Sequence, residues 1–154
     1  MISPEILRKY QFFAAFDSEQ LKSLAMIAEV IKYQSGVTIY SDQEIANKIF
    51  LLLNGSGDVF FRIGDVASGN QKLVSVGEIN PGELFGFSAL FEPYKHISTV
   101  KTAKDCETLV VPTEKLNNIL KSDHSMTNIF YRQVAISVLE RLNSTRIQLA
   151  AAWA

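Results

Sequence analysis

Between about residue 31 and residue 112 no apolar run is long enough, and no spacing between runs wide enough, to hold a helix. Short stretches rich in Val, Ile, Phe and Tyr follow one another, and glycines at 36, 55, 64, 69, 77 and 82 lie between them or at their ends. That texture predicts strands over Ile31–Tyr33, Val37–Tyr40, Ile49–Asn54, Gly57–Ile63, Lys72–Glu78, Thr99–Ala103 and Glu107–Val111. Parallel strands need crossovers of a dozen residues or more, which these spacings do not leave, so the sheet is expected to be antiparallel: a roll, sandwich or barrel.

Helical texture flanks this region on both sides. Ser3-Pro4-Glu5 reads as a cap, a first-turn proline and an early acid. Leu21, Leu24, Ala25 and Ala28 recur on one helical face behind Asp17-Ser18-Glu19-Gln20, with Asp17 or Ser18 as N-cap and Gln20 or Glu19 reaching back. Beyond Pro112 a short helix is expected from Thr113 to about Leu120. A long one, free of Gly and Pro, runs from about Ser125 to the end. Val134, Val138, Leu142, Leu149 and Trp153 share one side of it, with Thr145 filling the step. The expected organisation is one domain over 1–154, with helices over 1–30, strands over 31–112 and helices over 113–154. At 154 residues the chain buries about 70% of its unfolded surface without a staple.

Composition narrows the function classes. Fifteen basic and sixteen acidic residues leave a formal net charge of -1, without the basic excess of many nucleic-acid binders. The single cysteine excludes an internal disulfide scaffold. The N-terminus has no basic-then-apolar signal pattern, and no run reaches the roughly 20 apolar residues of a membrane helix, so a cytoplasmic protein without membrane contact is expected. The two histidines, His96 and His124, have no second His or Cys at ligand spacing, so no metal site is expected. No nucleophile motif is present, and Cys106 reads as a buried small hydrophobe, so the chain is not expected to be an enzyme.

One stretch carries chemistry: Gly82-Glu83-Leu84-Phe85-Gly86-Phe87-Ser88-Ala89-Leu90, continuing to His96-Ile97-Ser98-Thr99-Val100. A glycine turn leads into one helical turn whose free amides, at Ser88, Ala89 and Leu90, form a cradle for an anion. Ser98 and Thr99 add hydroxyls from the facing strand. The alternative reading of the same string is a glycine turn that packs Phe85 and Phe87 into a core.

This string resembles the phosphate-binding cassette of cyclic nucleotide-binding domains, which reads Phe-Gly-Glu-Leu-Ala-Leu, a short loop, then Arg-Ala-Ala-Thr-Val. It aligns without a gap to the version in protein-kinase regulatory subunits. Phe13–Leu21, Gln34–Tyr40 and Phe50–Gly55 resemble further segments of the same family, so the likeness spans nearly the whole chain. It implies a mainly β fold: an eight-stranded, jelly-roll-like β-roll flanked by N-terminal helices and a long C-terminal helix that lids the ligand and dimerises. The implied ligand site is Phe85, Gly86, Phe87, Ser88, Ala89 and Leu90 with His96, Ile97, Ser98 and Thr99. The implied dimer helix uses Val138, Leu142, Thr145 and Leu149, whose spacings of four, three and four resemble a coiled-coil seam.

Two positions depart from the family pattern. The glutamate that accepts hydrogen bonds from the ribose is Phe87 here, and the arginine that pairs with the cyclic phosphate is His96. Losing both partners costs ~3 kcal/mol or more, over a hundredfold in affinity. Lys95 cannot share a strand face with His96. Two functions follow as expectations. One is a sensor, without cofactor, that binds a cyclic nucleotide weakly or another small anion and signals through the last helix. The other is a ligand-free domain for dimerisation or protein interaction. Relatives of the catabolite-activator type place a DNA-reading helix after this point, and none is expected in this chain.

Overall fold

The last residues of β3 and the first of β4 sit on opposite sheets, and the glycine turn between them defines the architecture. In the computed structural model, which describes residues 2–154, eight strands form two four-stranded antiparallel sheets. They are β1 (Glu29–Tyr33), β2 (Thr38–Tyr40), β3 (Lys48–Asn54), β4 (Gly57–Ile63), β5 (Lys72–Ile79), β6 (Leu84–Phe85), β7 (Thr99–Thr102) and β8 (Cys106–Pro112). One sheet has the order β1-β8-β3-β6 and the other β2-β7-β4-β5. The helices are α1 (Pro4–Arg8), α2 (Ser18–Ile27), α3 (Thr113–Lys121) and α4 (His124–Trp153), with a 3-10 turn at Gln11–Phe13. This is the expected β-roll between helices.

Local signals account for the helix boundaries. Asp17 accepts from the Gln20 amide at 2.8 Å while the Gln20 side chain accepts from the Asp17 amide at 3.0 Å, a closed capping box. Ser3 caps α1 and Asp123 caps α4. The N-terminal helical stretch ends sooner than the pattern over 1–30 predicts. Ala28 is already extended and β1 begins at Glu29, because Glu29–Tyr33 pairs in register with Val110–Cys106.

The central strands of the first sheet, β3 and β8, are buried on both faces. On β3, Ile49 and Leu51 enter a core shared with the helices, together with Phe12, Leu21, Leu116 and Phe130. Phe50 and Leu52 point the other way, into a core between the sheets with Tyr40, Ile79, Phe85 and Val100. Two buried faces explain why Ile49–Leu53 is uninterruptedly apolar instead of alternating. β8 repeats the arrangement, with Leu109 and Val111 toward the helices and Val110 and Cys106 toward the second sheet. Cys106 is buried, its thiol facing the carbonyls of Ser56 and Lys104.

β6 is the strand missing from the periodicity. Its two residues pair with β3 as Phe50↔Phe85 and Leu51↔Leu84, and such a short strand leaves no alternation to read.

Gly55 makes the β3–β4 turn at φ +102, where a Cβ would lie 2.4 Å from the Asp105 carbonyl oxygen and 2.7 Å from the Cys106 sulfur. Gly55→Ala is expected to lower stability by about 3 kcal/mol, read as a shifted midpoint in urea denaturation, because backbone strain and overpacking add.

Candidate ligand cavity between the cassette and the last helix

Everything near the predicted cassette hangs on the pairing of β6 with β3. Phe85 enters the inter-sheet core and stacks on Phe50 at 5.1 Å between centroids. The chain then reverses at Gly86, in the left-handed region at φ +82. A Cβ there would lie 2.9 Å from the Phe50 ring and 3.2 Å from the Lys48 carbonyl oxygen, so the reversal needs glycine. A 3-10 turn, Phe87–Leu90, follows.

Of the three amides that the sequence offered as a cradle, at Ser88, Ala89 and Leu90, that of Ala89 is taken within the turn. The Ala89 N–H donates to the Gly86 carbonyl at 3.2 Å. The Ala89 side chain is buried in the helix-side core, and Leu90 packs against it. Phe87 combines both readings made for it: it is half-buried against that core and also borders an open cavity.

The cavity has a volume of about 540 Å³, within the roughly 300–1,000 Å³ usual for small-molecule sites. On the cassette side its wall includes Phe85, Gly86, Phe87, Ser88, His96, Ile97 and Ser98. Three predicted site residues, Ala89, Leu90 and Thr99, are not part of it. Thr99 is buried, and its hydroxyl accepts from the Asp42 N–H at 3.0 Å and donates to the Asp42 carboxylate at 3.2 Å.

The opposite wall is α4. Val138, Arg141, Leu142 and Thr145 line the cavity. Three of the four residues assigned to a dimer seam therefore face the cavity in this chain, while Leu149 does not line it and is exposed. The apolar stripe follows a surface of its own roll because α4 crosses over β5 and the cassette.

His96 is 4% exposed and lies flat on Tyr40, with 3.6 Å between centroids and 10° between planes. Burial lowers its pKa below the usual imidazole value, against the smaller opposing effect of the Glu44 carboxylate. The ring is therefore neutral at pH 7 and does not replace the charge of an arginine. Burial raises the Tyr40 phenol above its ordinary value, so it stays protonated, with Ser98 and the Gly86 backbone beside it. Lys95 and His96 both contribute to the cavity wall, contrary to the alternation argument, since this segment is loop and strand β7 begins only at Thr99.

The fixed cation of the site comes from α4. Arg141 donates to the Glu83 carboxylate at 3.3 Å, to the Leu84 carbonyl at 3.1 Å and to the Glu78 carbonyl at 3.5 Å. Neither Arg141 nor Tyr40 is among the residues that the sequence assigns to the site. The only local signal for Arg141 was its place on the Val138–Thr145 face. Tyr40 had none, because it meets His96 from 56 residues away.

Residues 30–123 match the family model described as "Cyclic nucleotide-binding domain". A provisionally described cyclic nucleotide-binding protein from Geobacter metallireducens is 32% identical, with a TM-score of 0.79, over 92% of this chain and 99% of that one. The N-terminal domain of a transcriptional regulator from Streptomyces coelicolor is 19% identical, with a TM-score of 0.70, over 90% of this chain and 96% of that one. The catabolite activator protein of Thermus thermophilus is 17% identical, with a TM-score of 0.69, over 97% of this chain and 63% of that one. The last two are likenesses of fold.

A depressed imidazole pKa has a definite sign in stability. Above the ordinary value of 6.5 both states carry a neutral ring; below it the unfolded chain takes up a proton that the folded one resists. Stability contributed by His96 is thus present above pH 6.5 and lost as pH falls through the lower folded value. Thermal melts from pH 7.5 to 4.5 are expected to show this loss, and His96→Phe, which keeps the stack on Tyr40, to remove that component.

Proposed function

This chain belongs to the cyclic nucleotide-binding domain family, and from that premise we propose that it is a non-catalytic sensor whose ligand occupies the cavity between the cassette and α4. The observation that carries this reading is the shared wall. A molecule in contact with Phe87 and His96 on one side touches Val138 and Leu142 on the other. A ligand shifts a conformational equilibrium only by its differential affinity for the two states, and one that contacts both walls discriminates between positions of α4. Val138 and Leu142 are each 43% exposed, so α4 has apolar surface to gain by closing on a guest.

Cyclic nucleotides are weak ligands in this reading. Phe87 accepts no hydrogen bond from a ribose, and a neutral His96 gives no charge-assisted pairing to a cyclic phosphate. Calorimetric titration with cyclic AMP and cyclic GMP at pH 7 is expected to give dissociation constants above ~100 μM, and Phe87→Glu with His96→Arg to tighten cyclic AMP by about a hundredfold. Micromolar binding by the unaltered protein would overturn the argument from these two residues.

The output of the sensor is a second copy of the chain. Beyond the cavity α4 still exposes Leu149 at 58% and Trp153 at 84%, apolar surface that a two-fold helix pair would cover. Sedimentation velocity is expected to show a dimer that Leu149→Glu converts to monomer. A domain that binds no ligand remains the second reading, favoured by the way His96 and Phe87 are built into contacts of the protein itself.

A further inference from the structure

The cavity wall is predominantly apolar, and its polar groups are few and differently placed from those that hold a ribose phosphate. Tyr40, Phe85, Phe87 and Phe91 present rings to it, and His96 adds a fifth planar group. Tyr40, Phe85 and His96 are buried, their faces spent on one another and on Phe50, so the open ring surface of the cavity is that of Phe87, half-buried, and Phe91, 52% exposed. These two rings receive a flat guest through stacking and dispersion, and they give nothing to the hydroxyls of a puckered sugar.

The charges of the wall are two cations, Lys95 and Arg141, against one carboxylate, Glu92, with His96 neutral. Glu83, which does not line the wall, already balances Arg141, so a guest with one negative charge enters by taking its place. Of the two cations only Arg141 is held in place, and it already grips a carboxylate, that of Glu83, at 3.3 Å. Glu83 can be released at little loss. Its side chain is 38% exposed, and its other oxygen accepts from the Asn80 N–H at 3.0 Å independently of Arg141.

We infer that the cavity takes a planar aromatic monocarboxylate, whose ring lies against Phe87 and Phe91 and whose carboxylate takes Arg141 from Glu83. This rests on the sensor reading and gives it a lever. The Arg141–Glu83 pair ties α4 to the turn that leads into β6, and the guest replaces that tie with one through itself. The exchange moves no covalent bond and needs no proton.

Titration calorimetry at pH 7 with 2-naphthoate and its uncharged counterpart 2-naphthamide tests this without altering the protein. Naphthoate is expected to bind about tenfold tighter than naphthamide, the difference made by a charge-assisted bond. Glu83→Gln, which removes the competing carboxylate, is expected to tighten naphthoate severalfold. Arg141→Gln is expected to bring naphthoate down to the affinity of naphthamide. Equal affinity of the two probes for the unaltered protein, or naphthoate weakened by Glu83→Gln, would overturn the inference. Hydrogen exchange across α4, followed with each probe and with cyclic AMP, separates it from the sensor reading. Cyclic AMP that binds and slows exchange while naphthoate does not bind sinks the ligand class alone. Naphthoate that binds with the expected selectivity and leaves α4 exchange unchanged supports the ligand class and sinks the sensor. Failure of every probe sinks both.

Discussion

The central strands β8 and β3 of the first sheet are buried on both faces, and the rest of the molecule is arranged around that constraint. A strand with water on one side alternates, whereas β3 and β8 must be apolar at nearly every position because helices cover one face and the second sheet covers the other. The helix-side core anchors α2, α3 and the first half of α4 through Leu21, Leu116, Met126 and Phe130. The inter-sheet core anchors Tyr40, Phe50 and Phe85. The ligand cavity opens at the edge of this arrangement, where β6 ends and α4 leaves the helix-side core at Val134 to run over the roll.

The two side chains that depart from the family pattern take partners inside the protein. Phe87 packs toward the helix-side core and His96 lies on Tyr40. Burial of an imidazole against a phenol ring favours its neutral form, so charge at this point of the site is lost together with the guanidinium fork. Positive charge reappears on the opposite wall, where Arg141 is held by a carboxylate and two carbonyls. Its side chain is only 25% exposed, so this pair is screened less than an ordinary surface ion pair. In the proposed site the fixed cation stands on α4 and not on the cassette, so the charge of a guest is read by the helix that forms the opposite wall.

The helix starts, the antiparallel pairing of strands and the spacing of the cassette were legible in the residues because each rests on interactions, or on connection lengths, within a short stretch of chain. Asp17 and Gln20 form their box three residues apart, and Gly86 reverses the chain next to the phenylalanines it separates. The strand β6 was not legible, since two residues carry no period and its existence depends on Phe50 and Leu51 lying across from it. The seam Val138, Leu142 and Thr145 was legible as an apolar stripe but not as a cavity wall. Periodicity shows that one face of a helix seeks cover and says nothing about whether a partner chain, its own roll or a ligand provides it.

By itself the sequence determined antiparallel strands between helices, a glycine turn ahead of Phe87 and the absence of a glutamate and an arginine where the family has them. These are properties of residue type and short-range spacing. Tertiary structure decided that His96 is a buried stacking partner, that the Ala89 amide is spent within its own turn, that Thr99 belongs to Asp42, and that Arg141 stands where it can meet a ligand. Each of those outcomes depends on which distant group comes to lie beside it. Tyr40 and His96 are 56 residues apart, and Arg141 and Glu83 are 58. Only the closure of the roll and the crossing of α4 bring such pairs into contact, and no local pattern of apolar and polar residues encodes where a chain will meet itself.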